Sequence, residues 1–235
     1  MPTIDFSSAN ASPQPQLPLA AALREGTAEL HREAERAGIM RDVLRGRVAR
    51  SAYCALLRNL HALYVTLEAN LTQHAADPAI GQMSLPVLAR CAALASDLES
   101  LHGARWEHQI PLKPAMIRYV ERLDEVARAD PRALVAHAYV RYLGDLSGGQ
   151  IVRRAIASAL ALAEDSGQAF YRFSEAPEVL AARLRAELDS IALTPKERAR
   201  LVDEARLAFR YHIELFEQLG GVAARSVAAM TPPPA

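Results

Sequence analysis

Two glycines one helical turn apart indicate a strip of backbone that a flat group could approach. Gly144 and Gly148 lie in the segment YVRYLGDLSGGQ, residues 139–150, among residues that favour helix. Each interior glycine destabilises a helix by roughly 1 kcal/mol relative to alanine, so its presence requires a compensating gain. At i, i+4 spacing the two glycines share one helix face, which leaves that face without side chains. A flat ring system pressed against the face would provide the gain.

Two simpler interpretations of this segment compete with a ligand site. The string LSGGQ, residues 146–150, is also the signature of ATP-binding-cassette ATPases. Those enzymes need a GxxxxGK[ST] phosphate loop after a strand, and the chain has neither that motif nor an α/β pattern. Close helix–helix packing would also explain small residues at this spacing. The third glycine, Gly149, and the polar neighbours Asp145 and Ser147 exceed what packing requires and favour a pocket.

A flat ligand that carries a metal would need an axial ligand on the side opposite the glycines. Spacing alone does not select among the seven histidines of the chain. Six are expected in apolar stripes, at helix ends or on the glycine helix: His61, His74, His102, His108, His137 and His212. His31 differs because Glu35, one turn later, could accept a hydrogen bond from the imidazole and fix which nitrogen faces a metal. A half-exposed histidine with an incidental ion pair explains the same spacing equally well.

The elements that must position these residues are predicted to be helices. Beyond about residue 19, apolar residues recur at threes and fours, and alternating β-branched runs are few. Asp130-Pro131 predicts an N-cap with proline at N1, and Thr194-Pro195-Lys196-Glu197 predicts a capping box. Helices are expected over 19–37, 49–75, 84–102, 113–128, 131–163, 175–191 and 195–219. The pattern predicts an all-α, single-domain helical bundle.

Composition limits the class of function. The chain of 235 residues is 51% hydrophobic and 23% charged, which suits one large domain with a buried core. Basic and acidic residues both number 27, so the overall charge does not indicate nucleic acid or an anionic membrane as partner. Cys54 and Cys91 lack CxxC spacing. Neither a disulfide framework nor a zinc site is therefore expected, and both cysteines are expected to be small buried residues.

The two ends of the chain differ in composition from the rest. Residues 1–18 are rich in Ser, Pro, Gln and Ala without a basic start, and we expect a disordered segment there. Residues 223–235 are expected to form a flexible tail. No stretch reaches the roughly 18 consecutive apolar residues that a membrane-spanning helix needs. We expect a cytoplasmic protein whose folded domain covers residues 19–222.

Two motifs together resemble the heme oxygenase family. The first, LREGTAELHREAE at 23–35, is similar to the proximal helix, which carries the heme-ligating histidine. The second, AYVRYLGDLSGGQ at 138–150, is similar to the glycine-rich distal helix and is the more specific motif. Further similarity runs through LHALYVTLE at 60–68, FYRF at 170–173 and LTPKERARLVDEARLAF at 193–209. The resemblance covers roughly residues 19–222.

The resemblance implies that heme b lies between a proximal helix and a kinked distal helix. His31 would be the axial ligand of the heme iron, and Glu35 would orient it. Heme would be both cofactor and substrate, cleaved with O2 and externally supplied electrons to biliverdin, carbon monoxide and ferrous iron. Gly144 and Gly148 would bend the distal helix and leave room for oxygen. Asp145 would hold water that delivers protons.

The resemblance also implies residues around the ring. Tyr64 and Arg141 would lie near the catalytic carboxylate. Arg24, Arg185 and Tyr139 would bind the heme propionates, whose anchoring decides which edge of the ring is cleaved. The chain departs from many relatives at Ala181, where they carry a basic residue, and Arg183 is a possible substitute. Cleavage at the α position, giving biliverdin IXα, is predicted.

Turnover would need an electron donor, because no nicotinamide or flavin site is recognisable. A ferredoxin- or flavodoxin-type reductant, or a reductase, is expected as partner. Arg24, Arg153 and Arg154 could steer an acidic partner, although solvated surface charges explain them as well.

Two alternative functions use the same bundle. A heme-binding carrier would hold heme without turnover and would not need the distal carboxylate or the glycines that make room for water. A thiamin-related hydrolase of similar fold would need a nucleophilic cysteine beside a base, and neither Cys54 nor Cys91 has a base at a suggestive spacing.

Overall fold

The computed structural model describes residues 17–163 and 166–220, and within these ranges the chain is helical without any strand. The helices are α1 Leu19–Arg36, α2 Gly38–Leu44, α3 Arg50–Gln73, α4 Pro78–Gly81, α5 Cys91–His102, α6 Trp106–Gln109, α7 Pro114–Ala129, α8 Leu134–Ala138, α9 Gly144–Ala159, α10 Pro177–Ser190 and α11 Pro195–Leu219. Turns of 3-10 helix lie at Pro86–Leu88, Pro131–Ala133 and Ala169–Tyr171. The all-α prediction is confirmed.

The ends of the chain lie largely outside the described residues. Of the expected disordered segment 1–18, only Leu17 and Pro18 are described; they precede α1, and Arg198 donates a hydrogen bond to the Leu17 carbonyl at 2.6 Å. The predicted tail 223–235 lies wholly outside. None of the helices that the structure describes has the length and apolar character needed to cross a bilayer.

The helices predicted over 49–75 and 195–219 are found close to their expected bounds, as α3 and α11, whereas the helix predicted over 131–163 is divided into several helical segments and ends at Ala159. α11 has the predicted bounds, and it begins at Pro195 because Thr194 accepts a hydrogen bond from the Glu197 backbone and the Glu197 carboxylate accepts one from the Thr194 backbone. α11 lies along α1 and also contacts α2, α7 and α8, while α3 packs against α5 and α7. The apolar stripes therefore meet in one core around α3 and α11.

The short helix α2 is not visible in the sequence pattern. Only Ala37, with extended backbone, separates it from α1. Gly38 begins α2 with a φ of +30°, and a Cβ there would lie 1.8 Å from the carbonyl oxygen of Phe216. Only glycine fits such a position, so the chain turns sharply against the end of α11. This turn places α2 beside α9.

The helix that carries the glycines contains a wider, π-helical turn just before them. α8 passes through a π-helical turn at Tyr139–Leu143 into α9. Such turns inside α-helices bend them and are frequent at functional sites. Gly144 itself has ordinary helical angles, φ −60° and ψ −49°. The departure from α geometry thus precedes the glycines, and what Gly144 contributes is a missing side chain.

A pair of buried charged residues holds the segment 169–172 from both sides. Asp97 accepts hydrogen bonds from the backbone N–H groups of Ala169 and Phe170, both at 2.8 Å. Arg90 donates to the carbonyls of Phe170 and Arg172 at 3.2 and 2.7 Å. We call this arrangement the Arg90–Asp97 clamp. It fixes the position of a short segment that would otherwise be held by few backbone hydrogen bonds.

Candidate active site

A cleft runs between α1 and α9, and most of the residues singled out by the sequence line it. Two adjoining cavities share His31, Val140, Gly144, Gly148 and Phe209 in their linings. The inner cavity extends toward α2 and the middle of α11. The outer cavity extends toward α10 and the beginning of α1. His31 and the glycine face therefore border the same space, although they lie more than a hundred residues apart in the chain.

The glycine segment serves two different purposes. A Cβ added at Gly144 or Gly148 would meet no atom within 4 Å, so both positions open onto the cleft. A Cβ at Gly149 would lie 3.2 Å from Cδ1 of Tyr171, which is tight packing. The ligand interpretation of the motif thus applies to Gly144 and Gly148, and the packing interpretation applies to Gly149.

His31 presents an accessible imidazole to the cleft. Its Nδ1 lies 3.5 Å from Oε1 of Glu35, and both side chains are 54% exposed. The edge of the Phe209 ring packs on the imidazole, with ring centroids 5.8 Å apart. Nε2 makes no hydrogen bond to any residue that the structure describes. The i, i+4 carboxylate favours a proton on Nδ1, which leaves the lone pair of Nε2 for a ligand.

Asp145, Arg141 and Tyr64 form a buried polar cluster behind the glycine face. The Tyr64 hydroxyl donates to Oδ2 of Asp145, and Arg141 donates to Oδ1 at 2.6 Å. Burial raises the pKa of Asp145, an effect that the Arg141 cation opposes. A carboxylate has about four lone-pair sites, so each oxygen keeps the capacity to accept a further hydrogen bond from water. Asp145 and Arg141 line the cavity.

A second buried network involves His137, which the sequence analysis places on the glycine helix. Its ring is fully buried; Nδ1 lies 3.1 Å from the Tyr119 hydroxyl, and Nε2 donates to Glu204 at 3.0 Å. Burial alone would raise the pKa of Glu204, but hydrogen bonds from His137 and Arg122 lower it to about 2. In a continuous α-helix, residues seven apart lie on the same face, so His137 would share the face of Gly144. The π-helical turn between the two residues shifts His137 to another face of the helix.

Basic and hydroxyl groups gather at the open end of the cleft. Arg24, Tyr139, Ser147 and Arg185 all line the outer cavity. Nη2 of Arg185 lies 3.4 Å from the Ser147 hydroxyl, which links α10 to α9. Burial raises the pKa of Tyr139, so its hydroxyl stays protonated and can donate. Arg24, Tyr139 and Arg185, which the sequence predicts to bind the carboxylates of a ligand, thus lie together at one edge of the cleft.

The structure does not bring Arg183 to this edge. Arg183 forms an ion pair with Glu175 and is absent from the described lining of the cleft. Residues two apart on a helix point in nearly opposite directions, whereas Ala181 and Arg185, four apart, share a face. Ala181 is buried, and Arg183 lies on another face of α10. The expectation that Arg183 substitutes for the missing basic residue lacks geometric support.

Sequence reasoning did not identify most of the apolar walls or one polar group within them. The inner cavity is lined by residues from α2, α3, α9, α11 and the segment around 170, including Met40, Leu44, Leu56, Leu60, Ile151, Val152, Phe170, Phe209 and Phe216. His212, expected in the core, is indeed buried but also borders this cavity. The recurrence of Phe209, His212 and Phe216 along α11 is the signal that marks this wall.

The cysteines lie apart from the cleft. Cys54 is buried as predicted, whereas Cys91 is only half-buried. Burial, with a hydrogen bond to Glu68, raises the pKa of the Cys91 thiol. Neither belongs to the lining of the described cavities, which disfavours the hydrolase interpretation.

The chemistry of the cleft fits a flat, largely apolar ring that carries a metal and has acidic groups at one edge. Apolar walls enclose the inner part, and arginines stand at the outer edge. His31 offers an axial nitrogen from one side. On the other side, the open surface of Gly144 and Gly148 allows a plane to approach the backbone.

Comparisons with known proteins agree with this geometry. The heme oxygenase family model matches residues 17–218. Heme oxygenase 1 of Homo sapiens is 41% identical over 208 residues, which cover 86% of this chain and 71% of that protein. Heme oxygenase 1 of Nostoc sp. is 36% identical over 214 residues, covering 90% of each chain.

Solved structures give the same result. Heme oxygenase-2 from Synechocystis sp., in complex with heme and NO, superposes with a TM-score of 0.86 at 37% identity, covering 90% of this chain and 88% of that one. Heme oxygenase-1 from Synechocystis sp., in complex with heme, gives 0.86 at 33% identity over 91% of this chain and 97% of that one. The chain belongs to the heme oxygenase family.

Proposed function

We propose that this heme oxygenase degrades heme in the cleft between α1 and α9, with His31 as the axial ligand of the iron. Bound heme supplies the redox-active iron that activates O2, and its own ring is cleaved to biliverdin, carbon monoxide and ferrous iron. One observation carries the proposal: the free Nε2 of His31 and the bare backbone of Gly144 and Gly148 border one space.

On the proximal side, Glu35 orients the ligand. Its carboxylate lies 3.5 Å from Nδ1 of His31 and favours a proton on that nitrogen, so Nε2 is the nitrogen left to face the heme iron. A carboxylate in this position also fixes the orientation of an imidazole that binds a metal. The Phe209 edge packs on the same ring and limits its rotation.

On the distal side, Asp145 holds and transfers protons through water. Tyr64 and Arg141 fix the carboxylate, whose remaining lone pairs can accept hydrogen bonds from water in the cavity that Asp145 lines. Because burial raises the pKa of Asp145, the carboxyl accepts and returns a proton more readily than an exposed aspartate would near neutral pH. Gly144 and Gly148 keep this region free of side chains, so the ring edge stays accessible.

At the outer edge, Arg24, Tyr139 and Arg185 bind the two propionates and set the rotation of the ring about the iron–histidine axis. Charge-assisted hydrogen bonds from guanidinium to carboxylate are strong and directional. We propose that these anchors direct cleavage to the α position and give biliverdin IXα. Chromatography of the extracted pigment tests this, and a dominant β or δ isomer would refute it.

The family requires a redox partner, and we propose a ferredoxin- or flavodoxin-type donor that docks at the open edge. Arg24 is exposed at this edge, and Arg154 is exposed on α9, so both are available to an acidic surface. Arg153 is engaged with Gln150 and Gln168, so it contributes less. Reduction should slow with rising salt, and a rate that is insensitive to ionic strength would exclude steering. The cytoplasm, expected from the sequence, is the location that suits such donors.

Addition of heme, a reducing system and oxygen tests the activity. Loss of the Soret band with appearance of biliverdin is expected, whereas a protein that only binds and releases intact heme would be a carrier. His31→Ala should abolish the native axial ligation, and His61→Ala serves as the control because His61 packs on Trp106 away from the cleft lining. An unchanged heme spectrum in His31→Ala would show that another residue is the ligand.

A further inference from the structure

Tyr119 is a buried tyrosine whose hydroxyl contacts a buried histidine. The hydroxyl, on α7, lies 3.1 Å from Nδ1 of His137 on α8, and the other ring nitrogen, Nε2, lies 3.0 Å from Oε1 of Glu204 on α11. Against the effect of burial, hydrogen bonds from His137 and Arg122 lower the pKa of Glu204 to about 2, so its carboxylate is an anion. The anion favours the imidazole proton on Nε2, and Nδ1 is left to accept a hydrogen bond from Tyr119.

This arrangement allows a tyrosine to lose an electron inside the protein. Burial raises the pKa of Tyr119 above its usual range, an effect that Arg141 opposes, so the hydroxyl keeps its proton at rest. An oxidised phenol is a strong acid, and a buried cation without a partner is unfavourable, so its proton has to leave during the oxidation. Nδ1 of His137 can accept that proton, and the imidazolium so formed would lie beside the Glu204 carboxylate. The positive charge would therefore be paired as soon as it appears.

Aromatic rings lead from the cleft to Tyr119 and from Tyr119 to the surface. His212 borders the inner cavity, and its ring contacts Tyr119 edge-on with centroids 5.2 Å apart. Tyr211 stacks on Tyr119 with centroids 4.9 Å apart and an angle of 12° between the ring planes. Tyr211 is half-buried, so part of its side chain reaches solvent. Tyr119 thus lies one ring away from the cavity and in contact with a tyrosine that water can reach.

Tyr64, the tyrosine that donates to Asp145, is placed differently. Its ring contacts Tyr142 and Phe170, and all three rings are buried. Among the residues that the structure describes, no half-exposed tyrosine stacks on Tyr64 as Tyr211 stacks on Tyr119. The route to solvent therefore favours Tyr119 as the residue that passes an electron between the cleft and the surface.

We propose that Tyr119 is a redox-active tyrosine that removes oxidising equivalents from the heme cleft, with His137 as its proton acceptor and Tyr211 as the exit to solvent. The proposal rests on the heme site proposed above. The oxidant is bound ferric heme that has reacted with an organic hydroperoxide, whose O–O bond breaks and whose alcohol leaves, so that the heme gains two oxidising equivalents. One electron passes from Tyr119 to this heme, and the phenolic proton moves to Nδ1 of His137.

Tyr211 then restores Tyr119. An electron passes from Tyr211 to the Tyr119 radical and His137 returns the proton, while Tyr211 releases its own phenolic proton to solvent. A thiol in solution donates a hydrogen atom to the Tyr211 radical and ends the sequence. One oxidising equivalent thereby leaves the cleft, and a second passage removes the other. The apolar walls of the cavity are spared from oxidation.

Electron paramagnetic resonance tests the radical. The ferric heme-loaded protein is mixed with an organic hydroperoxide and frozen rapidly, and a tyrosyl signal is expected that narrows when ring-deuterated tyrosine is incorporated. Tyr119→Phe should lose this signal. Tyr53→Phe is the control, because the Tyr53 hydroxyl donates to the Gly167 carbonyl, which cannot take up a proton, and the signal should persist. An undiminished tyrosyl signal in Tyr119→Phe would overturn the proposal.

The exit is tested by the lifetime of the same signal. Tyr211→Phe should retain a tyrosyl radical, because Tyr119 is still present, but the radical should decay more slowly in the presence of a thiol. A decay as fast as in the unmodified protein would overturn the role of Tyr211.

The proton acceptor is tested on the heme-free protein, without any variant that has to react. Nitrogen NMR of histidine-labelled protein should show a proton on Nε2 of His137 and none on Nδ1, with the Nδ1 resonance assigned by its shift in Tyr119→Phe. A proton on Nδ1 would overturn the proposal, because Tyr119 could not then pass its own proton to that nitrogen.

Heme binding and biliverdin formation by the unmodified protein are measured in parallel. Absence of a Soret band after addition of heme would refute the proposed function, and the redox role of Tyr119 with it. A protein that binds and degrades heme while Tyr119→Phe keeps the full radical signal would refute the redox role alone.

Discussion

Replacement of Gly148 by alanine should stabilise the heme-free protein and weaken heme binding. The added Cβ would meet no atom within 4 Å, and the position lies inside α9 without a positive φ. Alanine exceeds glycine in helix propensity by about 0.8–1.0 kcal/mol, and no steric cost opposes this gain. For a domain of this size the change corresponds to a rise in Tm of about 2–4 °C.

The same methyl group would occupy space that the proposed heme position needs. Insertion of one extra carbon into a closely packed site costs about 1–3 kcal/mol, which corresponds to a roughly 5- to 150-fold increase in Kd. Thermal unfolding followed by circular dichroism measures the first effect, and titration of the heme Soret band measures the second. Opposite signs of the two effects are the distinctive expectation.

Gly149→Ala is the matched control, because it changes the adjacent residue in the same helix. Its Cβ would lie 3.2 Å from the Tyr171 ring, so the propensity gain is offset by crowding and Tm should rise less or fall. Heme affinity should change less than in Gly148→Ala, because Gly149 lines only the inner cavity and its added Cβ would point at the Tyr171 ring and not into open space. If Gly148→Ala leaves heme affinity unaltered or destabilises the heme-free protein, the glycine face is not the heme surface.

Three further changes test the remaining parts of the site. Arg185→Ala should weaken heme binding and broaden the biliverdin isomers seen by chromatography, whereas Arg183→Ala, on the opposite side of α10, should leave both unchanged; equal effects would refute the assignment of the outer edge. Asp145→Asn keeps the size of the side chain but removes its proton-accepting capacity, so the single-turnover rate of biliverdin formation should fall about 10²-fold or more while heme affinity is retained; an unchanged rate removes Asp145 from proton transfer. Glu204, whose pKa falls from 4.5 to about 2 on folding, contributes stability that is present above pH 4.5 and is lost as the pH falls toward 2. Denaturant unfolding of Glu204→Gln should therefore differ from the unmodified protein more at pH 6 than at pH 3, and a pH-independent difference would contradict the cause given for the shift.

Much of the bundle is predictable because its helices obey local rules. α1 and α11 carry regular apolar stripes, and the Thr194 capping box fixes where α11 begins. The glycine face could be recognised for the opposite reason. Gly144 and Gly148 contradict helix propensity, and such local conflicts concentrate at functional sites.

Other parts of the site depend on contacts that no local pattern contains. The π-helical turn at Tyr139–Leu143 rotates His137 away from the glycine face, and its residues read as ordinary helix formers. The bond between His137 and Glu204 joins α8 to α11, so it exists only once the helices pack. A stripe position such as His212 predicts burial, but it does not distinguish a core from a cavity wall.

The Arg90–Asp97 clamp decides which part of the pocket is formed before heme arrives. The segment 169–172 brings Phe170 and Tyr171 to the inner wall, and both its N–H and its carbonyl groups are already bound in the heme-free chain. Ligand binding therefore loses little conformational entropy on this wall, and its shape acts as a fixed template for the ring. The exposed His31 side chain is the part of the site that must still change conformation when heme binds. Because this wall is formed in advance, differences in heme affinity should arise mainly from the rate at which heme dissociates.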